Sequence, residues 1–243
     1  MSRNLEVRWE GELAATPEQV WDAITVHCGG WLWPIQYEPG VGGSERGLTG
    51  RGTVTAWDAP RHFGTRAPDG DGVNELDYRL EPRGAGTYLR YTHRGVLAED
   101  YDRQLDACRQ HTAFYYHSLG EYVAHFAGRE AVYVSADAPE VSGQGGFAAV
   151  RRALGLPAHA AAGDPVRLSP AGLPPIEGVV DYTTHAFLGI RTAGALYRFY
   201  GRDAWGWPVG VAHHLFGDPV DRAATERAWQ QWLDGVFVTE AVA

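Results

Sequence analysis

Hydrophobic and polar residues alternate along most of the first hundred positions, which predicts β-strands with one buried face. Leu5, Val7 and Trp9 alternate with charged residues, as in a half-buried strand at 5–15. The same alternation predicts four further strands, at 52–58, 63–67, 73–82 and 87–95. The residues between them predict tight turns at 59–60 and 83–86.

A short helix is predicted between the first strand and the others. Thr16 is a suitable N-cap, Pro17 suits the first turn, and Glu18 places an acid near the helix N-terminus. The helix is expected to end near residues 28–30, and its buried face to comprise Val20, Trp21 and Ile24.

A much longer helix is predicted from Ala98 to Gly128, with roughly seven turns at about 3.6 residues each. Asp100 or Glu99 can serve as its cap, and Gly128 lies where a helix stop is expected. Apolar and aromatic residues recur every three or four positions on one face: Leu105, Cys108, Thr112, Tyr115, Leu119, Tyr122 and Phe126.

This helix face is more polar than a core made of Leu, Ile and Val. Buried phenols generally need a hydrogen-bond partner for each hydroxyl. Two interpretations stay open. Either the helix covers a cavity lined by aromatic and mildly polar groups, or it packs fully and its tyrosines reach solvent at the edge.

The remaining chain repeats the order strand, short helix, strands, helix. A strand at 129–138, a short helix around 147–154 and a loop at 158–163 precede strands at 178–192, 195–200 and 209–216. The final helix spans 225–236 and carries Trp229, Trp232 and Leu233 on one face. We therefore predict an α+β protein with antiparallel sheets and two domains, 1–128 and 129–243, the second a shortened, degenerate copy of the first.

Charge and composition exclude several classes of protein. Lys and Arg total 21 against 30 Asp and Glu, a net charge of −9, which argues against a nucleic-acid partner. No apolar run approaches the ~20 residues of a membrane span, and residues 1–10 lack the apolar centre of a signal peptide. With only Cys28 and Cys108, no disulfide framework is expected, so a cytoplasmic location is the default expectation.

Three segments together resemble the SRPBCC or START-like superfamily, and most closely the domain shared with the activator of the heat-shock-protein-90 ATPase. The segments are Thr16-Pro17-Glu18-Gln19-Val20-Trp21, Val54-Thr55-Ala56-Trp57-Asp58-Ala59-Pro60-Arg61 and Gly86-Thr87-Tyr88-Leu89-Arg90-Tyr91-Thr92-His93-Arg94-Gly95. The resemblance covers about residues 3–128. It implies a helix-grip fold, in which a curved sheet and a long helix enclose a cavity for small apolar molecules.

The candidate ligand-binding residues are those expected to face this cavity. They come from the two strands before the long helix, from the helix itself, and from the segment after the first helix: Leu76, Tyr78, Leu89, Cys108, Thr112, Tyr116, Leu119, Trp31 and Trp33. An apolar lining with a few placed polar groups is typical of small-molecule pockets. The alternative is that these residues fill the core completely.

Catalysis is a second hypothesis for the same cavity. His93 is the natural general acid or base because its pKa is near neutrality, and Tyr91 and Tyr115 could orient or polarise a carbonyl. A structural His93 bonded to the backbone is the alternative. No two histidines are four apart on the long helix, so neither a metal nor another cofactor is expected. The pairs Cys28–His27 and Cys108–His111 are conceivable nucleophiles, although buried structural cysteine is the simpler interpretation.

The resemblance implies three possible functions. The first is binding of a small hydrophobic or aromatic molecule, in a carrier, sequestering or resistance role. The second is a metal-free enzyme that resembles polyketide cyclases and aromatases, and the third is a module that acts on a chaperone. The sequence leaves open whether the protein is a homodimer and what the second half contributes.

Overall fold

The computed structural model describes residues 3–48, 51–69, 72–97, 99–217 and 219–240. The chain forms two compact units, Met1–Glu130 and Ala131–Ala243. Both units are α+β, and each has a curved antiparallel sheet followed by a C-terminal helix. This architecture confirms the predicted fold class, in which a second, shortened α+β domain of similar plan follows the first.

In the described residues, the sheet of unit 1 has seven strands in the order β1-β7-β6-β5-β4-β3-β2. The first strand of the unit therefore pairs with the last, and the others follow in reverse order. The strand bounds are β1 Arg3–Leu13, β2 Gln36–Tyr37, β3 Ser44–Arg46, β4 Gly52–Asp58, β5 His62–Asp69, β6 Gly72–Arg83 and β7 Gly86–Leu97.

Helix α1 spans Pro17–Thr25 and begins with the predicted cap. The Gln19 amide donates to Thr16 Oγ1 at 3.4 Å, and the Thr16 amide donates to Gln19 Oε1 at 3.0 Å. The two bonds form a capping box, which satisfies amide groups that the first turn leaves unpaired. The helix ends at Thr25, and residues Cys28–Gly30 form a separate 3₁₀ turn rather than its last turn.

Helix α2 spans Tyr101–His125, a length of 25 residues. Its predicted first residue, Ala98, lies outside the described residues. Asp100 occupies the N-cap position, but its side chain does not cap the helix as expected; it binds the Arg103 guanidinium instead. Gly128 follows the helix end in a left-handed conformation with φ +75°, which glycine adopts at little cost.

More of the α2 circumference is buried than the single predicted face. Thr112, Tyr116 and Leu119 are buried, as expected. Phe114 and Ser118 are buried too, although Phe114 comes two positions from both Thr112 and Tyr116 and so lies on roughly the opposite side of the helix. The predicted core positions Leu105, Cys108 and Tyr115 are only half-buried. The sequence pattern therefore placed the helix correctly but underestimated its buried surface.

Unit 2 repeats the topology of unit 1 with one strand fewer among the described residues. Its sheet order is β8-β13-β12-β11-β10-β9, so its first strand again pairs with its last. The bounds are β8 Val132–Asp137, α3 Gly146–Ala153, β9 Pro165–Leu168, β10 Ile176–Thr183, β11 Phe187–Arg191, β12 Ala195–Tyr200, β13 Gly210–Leu215 and α4 Arg222–Glu240.

The core of unit 2 lies between this sheet and α4. Trp229, Trp232 and Leu233 are buried on the inner face of α4, as the sequence predicts. The segment predicted as one strand, 178–192, is a hairpin of β10 and β11 instead. In that hairpin the Thr184 side chain accepts hydrogen bonds from the amides of Ala186 and Phe187, at 3.2 and 3.0 Å, which stabilise the turn.

Candidate functional site

Five aromatic side chains form a row across the sheet of unit 1, which we call the aromatic row: Trp9, Tyr91, Tyr78, Phe63 and Trp57. Each comes from a different strand, and each residue lies directly opposite the next in the strand register. Ring centroids are 4.9 Å apart for Tyr78 and Tyr91, 5.6 Å for Tyr78 and Phe63, and 5.7 Å for Phe63 and Trp57. Cross-strand pairing thus places the row on one face of the sheet.

Tyr116 of α2 lies over one end of the aromatic row. Its ring stacks on Trp9 with centroids 4.7 Å apart and an interplanar angle of 19°. It also lies 4.7 Å from the ring of Tyr91 and 5.8 Å from that of Trp31. The space between sheet and long helix is therefore occupied by aromatic groups at this level, and three of them are phenols.

These three phenols are buried and stay protonated at neutral pH. Burial raises the pKa of Tyr78, and it raises the pKa of Tyr91 and Tyr116 well above the usual value. Hydrogen bonding with Tyr116 acts in the opposite direction on the pKa of both Tyr78 and Tyr91. The cluster therefore offers hydroxyl donors, and it holds no base at neutral pH.

Cys28 lies beside the same cluster and is a poor nucleophile. Burial raises the pKa of its thiol to about 12, and a hydrogen bond from Tyr37 only partly offsets this. The thiol donates to the Ile24 carbonyl at 2.7 Å. Since the thiolate is the reactive form, the geometry favours the structural interpretation of Cys28 over a Cys28–His27 nucleophile pair.

Several predicted site residues are half-buried around this interior. Trp33 packs edge-on against Tyr115 with centroids 5.8 Å apart, and its indole donates to the Gly47 carbonyl at 3.1 Å. The His111 ring lies 5.9 Å from that of Tyr115. Burial raises the pKa of the half-buried Cys108 thiol. These four residues, Trp33, Cys108, His111 and Tyr115, are thus only partly removed from solvent.

The nine predicted ligand-binding residues fall into three groups. Trp31, Tyr78 and Tyr116 are brought together in one cluster, although Trp31 is only 2% exposed and its indole donates to the Ala23 carbonyl at 2.9 Å. Four more are buried on the strand and helix faces that carry the tyrosines: Leu76, Leu89, Thr112 and Leu119. The last two, Trp33 and Cys108, are half-buried. Sequence reasoning missed Trp9, Phe63 and Trp57, because strand register decides which aromatic residues become neighbours.

Two of the three predicted catalytic residues lie on β7, and the third, Tyr115, lies on α2. Tyr91 belongs to the aromatic row, and His93 lies two residues further along β7, opposite Val7 and Leu76. His93 is half-buried, as is Tyr115. Their roles stay predictions.

The other histidines do not assemble a metal site. On α2, Glu121 lies 4.0 Å from His117 and 3.7 Å from His125. Among the described residues, no three His, Cys, Asp or Glu side chains converge closely enough to hold a metal ion. Nor does any helix in the described ranges have the length and apolar character needed to cross a membrane.

No family model matches the chain, and no curated protein matches it. Solved structures are similar to about half of it. CalU16 from Micromonospora echinospora is 19% identical, with 51% of this chain and 87% of that chain covered and a TM-score of 0.40. Protein MLL2253 from Mesorhizobium loti is 19% identical, with coverages of 50% and 98% and a TM-score of 0.41. A protein from Rhodobacter sphaeroides is 24% identical, with coverages of 52% and 99% and a TM-score of 0.40.

Proposed function

We propose that unit 1 binds a small hydrophobic or aromatic molecule between its sheet and α2, beside the aromatic row, where Trp33 and Tyr115 are half-buried. The supporting observation is the aromatic row beneath Tyr116, with its three buried phenols. Aliphatic side chains would fill such an interior without the cost of burying three hydroxyls. Rigid rings and a few hydroxyl donors instead suit a flat guest that carries a carbonyl or phenol oxygen. The motif resemblance to the SRPBCC or START-like superfamily supports the same function, and the heat-shock branch stays a prediction.

The test is a titration of the full chain with 2-naphthol, followed by tryptophan fluorescence. We expect saturable quenching, and we expect Trp33→Phe to remove most of it because Trp33 is half-buried beside Tyr115. Tyr116→Leu removes the stacking partner of Trp9 and a hydroxyl donor, so it should weaken binding by roughly tenfold.

The matched control is Tyr88→Leu. Tyr88 lies on β7 like Tyr91, but three positions away and thus on the opposite face of the sheet, where Arg83 and Arg90 cover its ring. This variant should bind 2-naphthol like the wild type. Absence of saturable quenching in the wild type, or equal weakening by Tyr88→Leu and Tyr116→Leu, would count against the site.

The second candidate is a cyclase- or aromatase-type enzyme that uses the same interior. The observation in its favour is that half-buried His93 is adjacent on the same strand face to Tyr91, whose hydroxyl is a protonated donor. Turnover of a poly-β-ketone by the wild type, compared with His93→Ala and Tyr115→Phe, separates the two functions. Equal rates for all three chains would remove both residues from the mechanism.

A further inference from the structure

Unit 2 has a cavity of its own, about 370 Å³ in volume, at the N-terminal end of α4. Its size falls within the range of roughly 300–1,000 Å³ that small-molecule pockets occupy. The walls come from the loop before β10, from three strands, and from the start of α4 with the residues that precede it: Leu173, Pro174, Ile176, Tyr197, Leu215, Val220, Asp221, Ala224, Thr225, Ala228 and Trp229.

The polar groups that Asp221 and Thr225 contribute to these walls already form hydrogen bonds at the N-terminus of α4. Asp221 Oδ1 accepts from the Ala224 amide at 3.0 Å, and the Asp221 carbonyl accepts from the Thr225 amide and hydroxyl, each at 2.9 Å. Tyr197 also lines the cavity, and burial raises the pKa of its hydroxyl, which therefore stays protonated at neutral pH. The cavity thus has mainly apolar and aromatic walls, with the Tyr197 hydroxyl as a hydrogen-bond donor outside the helix start.

The aromatic wall is held in place from behind by His213. This side chain is 0% exposed, and its ring lies 4.3 Å from Trp229 and 4.9 Å from Tyr197. Its Nδ1 accepts from the Arg198 amide at 3.1 Å, which leaves the proton on Nε2. Nε2 is buried and has no hydrogen-bond acceptor among the described residues. The neutral imidazole thus acts as a packing group that fixes both rings.

We propose that this cavity binds a planar, uncharged aromatic molecule that accepts a hydrogen bond from the Tyr197 hydroxyl. The proposal concerns a second site and does not depend on the function proposed for unit 1. Trp229 supplies a flat apolar surface, and Ala224 and Ala228 leave room beside it. A charged ligand is disfavoured because apolar walls would have to desolvate it, and the carboxylate of Asp221 would repel an anion.

The test uses coumarin, a planar neutral molecule with a carbonyl acceptor, and the full chain with ¹⁵N-labelled tryptophan. The indole resonance of Trp229, assigned with Trp229→Phe, should shift saturably. Ala228→Trp fills the cavity and should abolish the shift. Tyr197→Phe keeps the ring and should weaken binding about threefold to tenfold, as expected for one lost hydrogen bond.

The control is Ala223→Trp, at an exposed position of α4 that does not line the cavity, which should bind coumarin normally. Tyr116→Leu in unit 1 should also leave the Trp229 shift unchanged, so failure of one site is distinguishable from failure of the other. The proposal is overturned if coumarin leaves the Trp229 resonance unmoved, if the shift survives in Ala228→Trp, or if phenyltrimethylammonium binds more tightly than coumarin.

Discussion

In the sheet of unit 2, Gly189 on the middle strand allows a buried ion pair to form between the two strands beside it. Arg198 Nη1 lies 2.9 Å from Asp181 Oδ2, and the two side chains are 0% and 2% exposed. The partners come from β12 and β10, on either side of Gly189 in β11. A Cβ on Gly189 would lie 2.4 Å from Asp181 Oδ1 and 2.7 Å from Arg198 Nη1. Because Gly189 has no side chain, the ion pair of Arg198 and Asp181 fits over it.

Gly189→Ala should therefore separate the pair and destabilise the protein by about 3–5 kcal/mol, the usual cost of breaking a buried ion pair. Urea unfolding of the full chain measures the change. Gly217→Ala is the matched control, because no atom lies within 4 Å of the added Cβ. Similar unfolding midpoints for the two variants would show that the pair tolerates the extra methyl group.

At the scale of single elements, the start of α1 is specified locally. The capping box between Thr16 and Gln19 involves neighbours in the sequence, so Thr16→Ala should cost about 1 kcal/mol of stability. Thr16→Ser keeps the hydroxyl and should retain most of it. Urea unfolding of both variants is the measurement, and equal losses would mean that the hydroxyl bonds contribute little.

Such local signals explain which elements the sequence could predict. The strands β4 and β12 have the bounds that were predicted for them, 52–58 and 195–200, and α1 starts at its predicted cap. The strands Gln36–Tyr37 and Ser44–Arg46 were not predicted, because they are only two and three residues long and lie in a glycine-rich segment without alternating residues. The aromatic row was not predicted either, since Trp9 and Tyr91 become neighbours only through the β1–β7 register. Long-range pairing leaves no local pattern.

At the scale of the whole molecule, buried tyrosine hydroxyls and a buried thiol should make the folded state less stable at alkaline pH. The folded pKa values of Tyr78, Tyr91, Tyr116 and Cys28 are raised by burial, so the folded state keeps these protons when the unfolded state has lost them. Stability from this source is complete below the unfolded pKa values, about 8.5 for Cys and 10 for Tyr, and falls as pH rises through them.

We expect the free energy of unfolding to decrease steeply from about pH 9 to pH 11, by on the order of 1 kcal/mol for each buried phenol at pH 11. Urea unfolding at a series of pH values measures it. Tyr116→Phe should show a shallower decline, and Tyr88→Phe, which leaves the buried cluster intact, is the control. A pH dependence in Tyr116→Phe as steep as in the wild type would contradict the assignment of the decline to these phenols.

The pairing of first and last strands has a consequence for the order of events on the ribosome. Arg3 pairs with Leu97 and Val132 with Leu215, so each sheet is completed only by the last strand of its unit to be translated. While the intervening residues emerge from the exit tunnel, β1 and then β8 have no partner along the edge that their closing strand will occupy. Nascent chains stalled before β7 or β13 therefore expose an unpaired strand edge, which chaperones or other chains can bind.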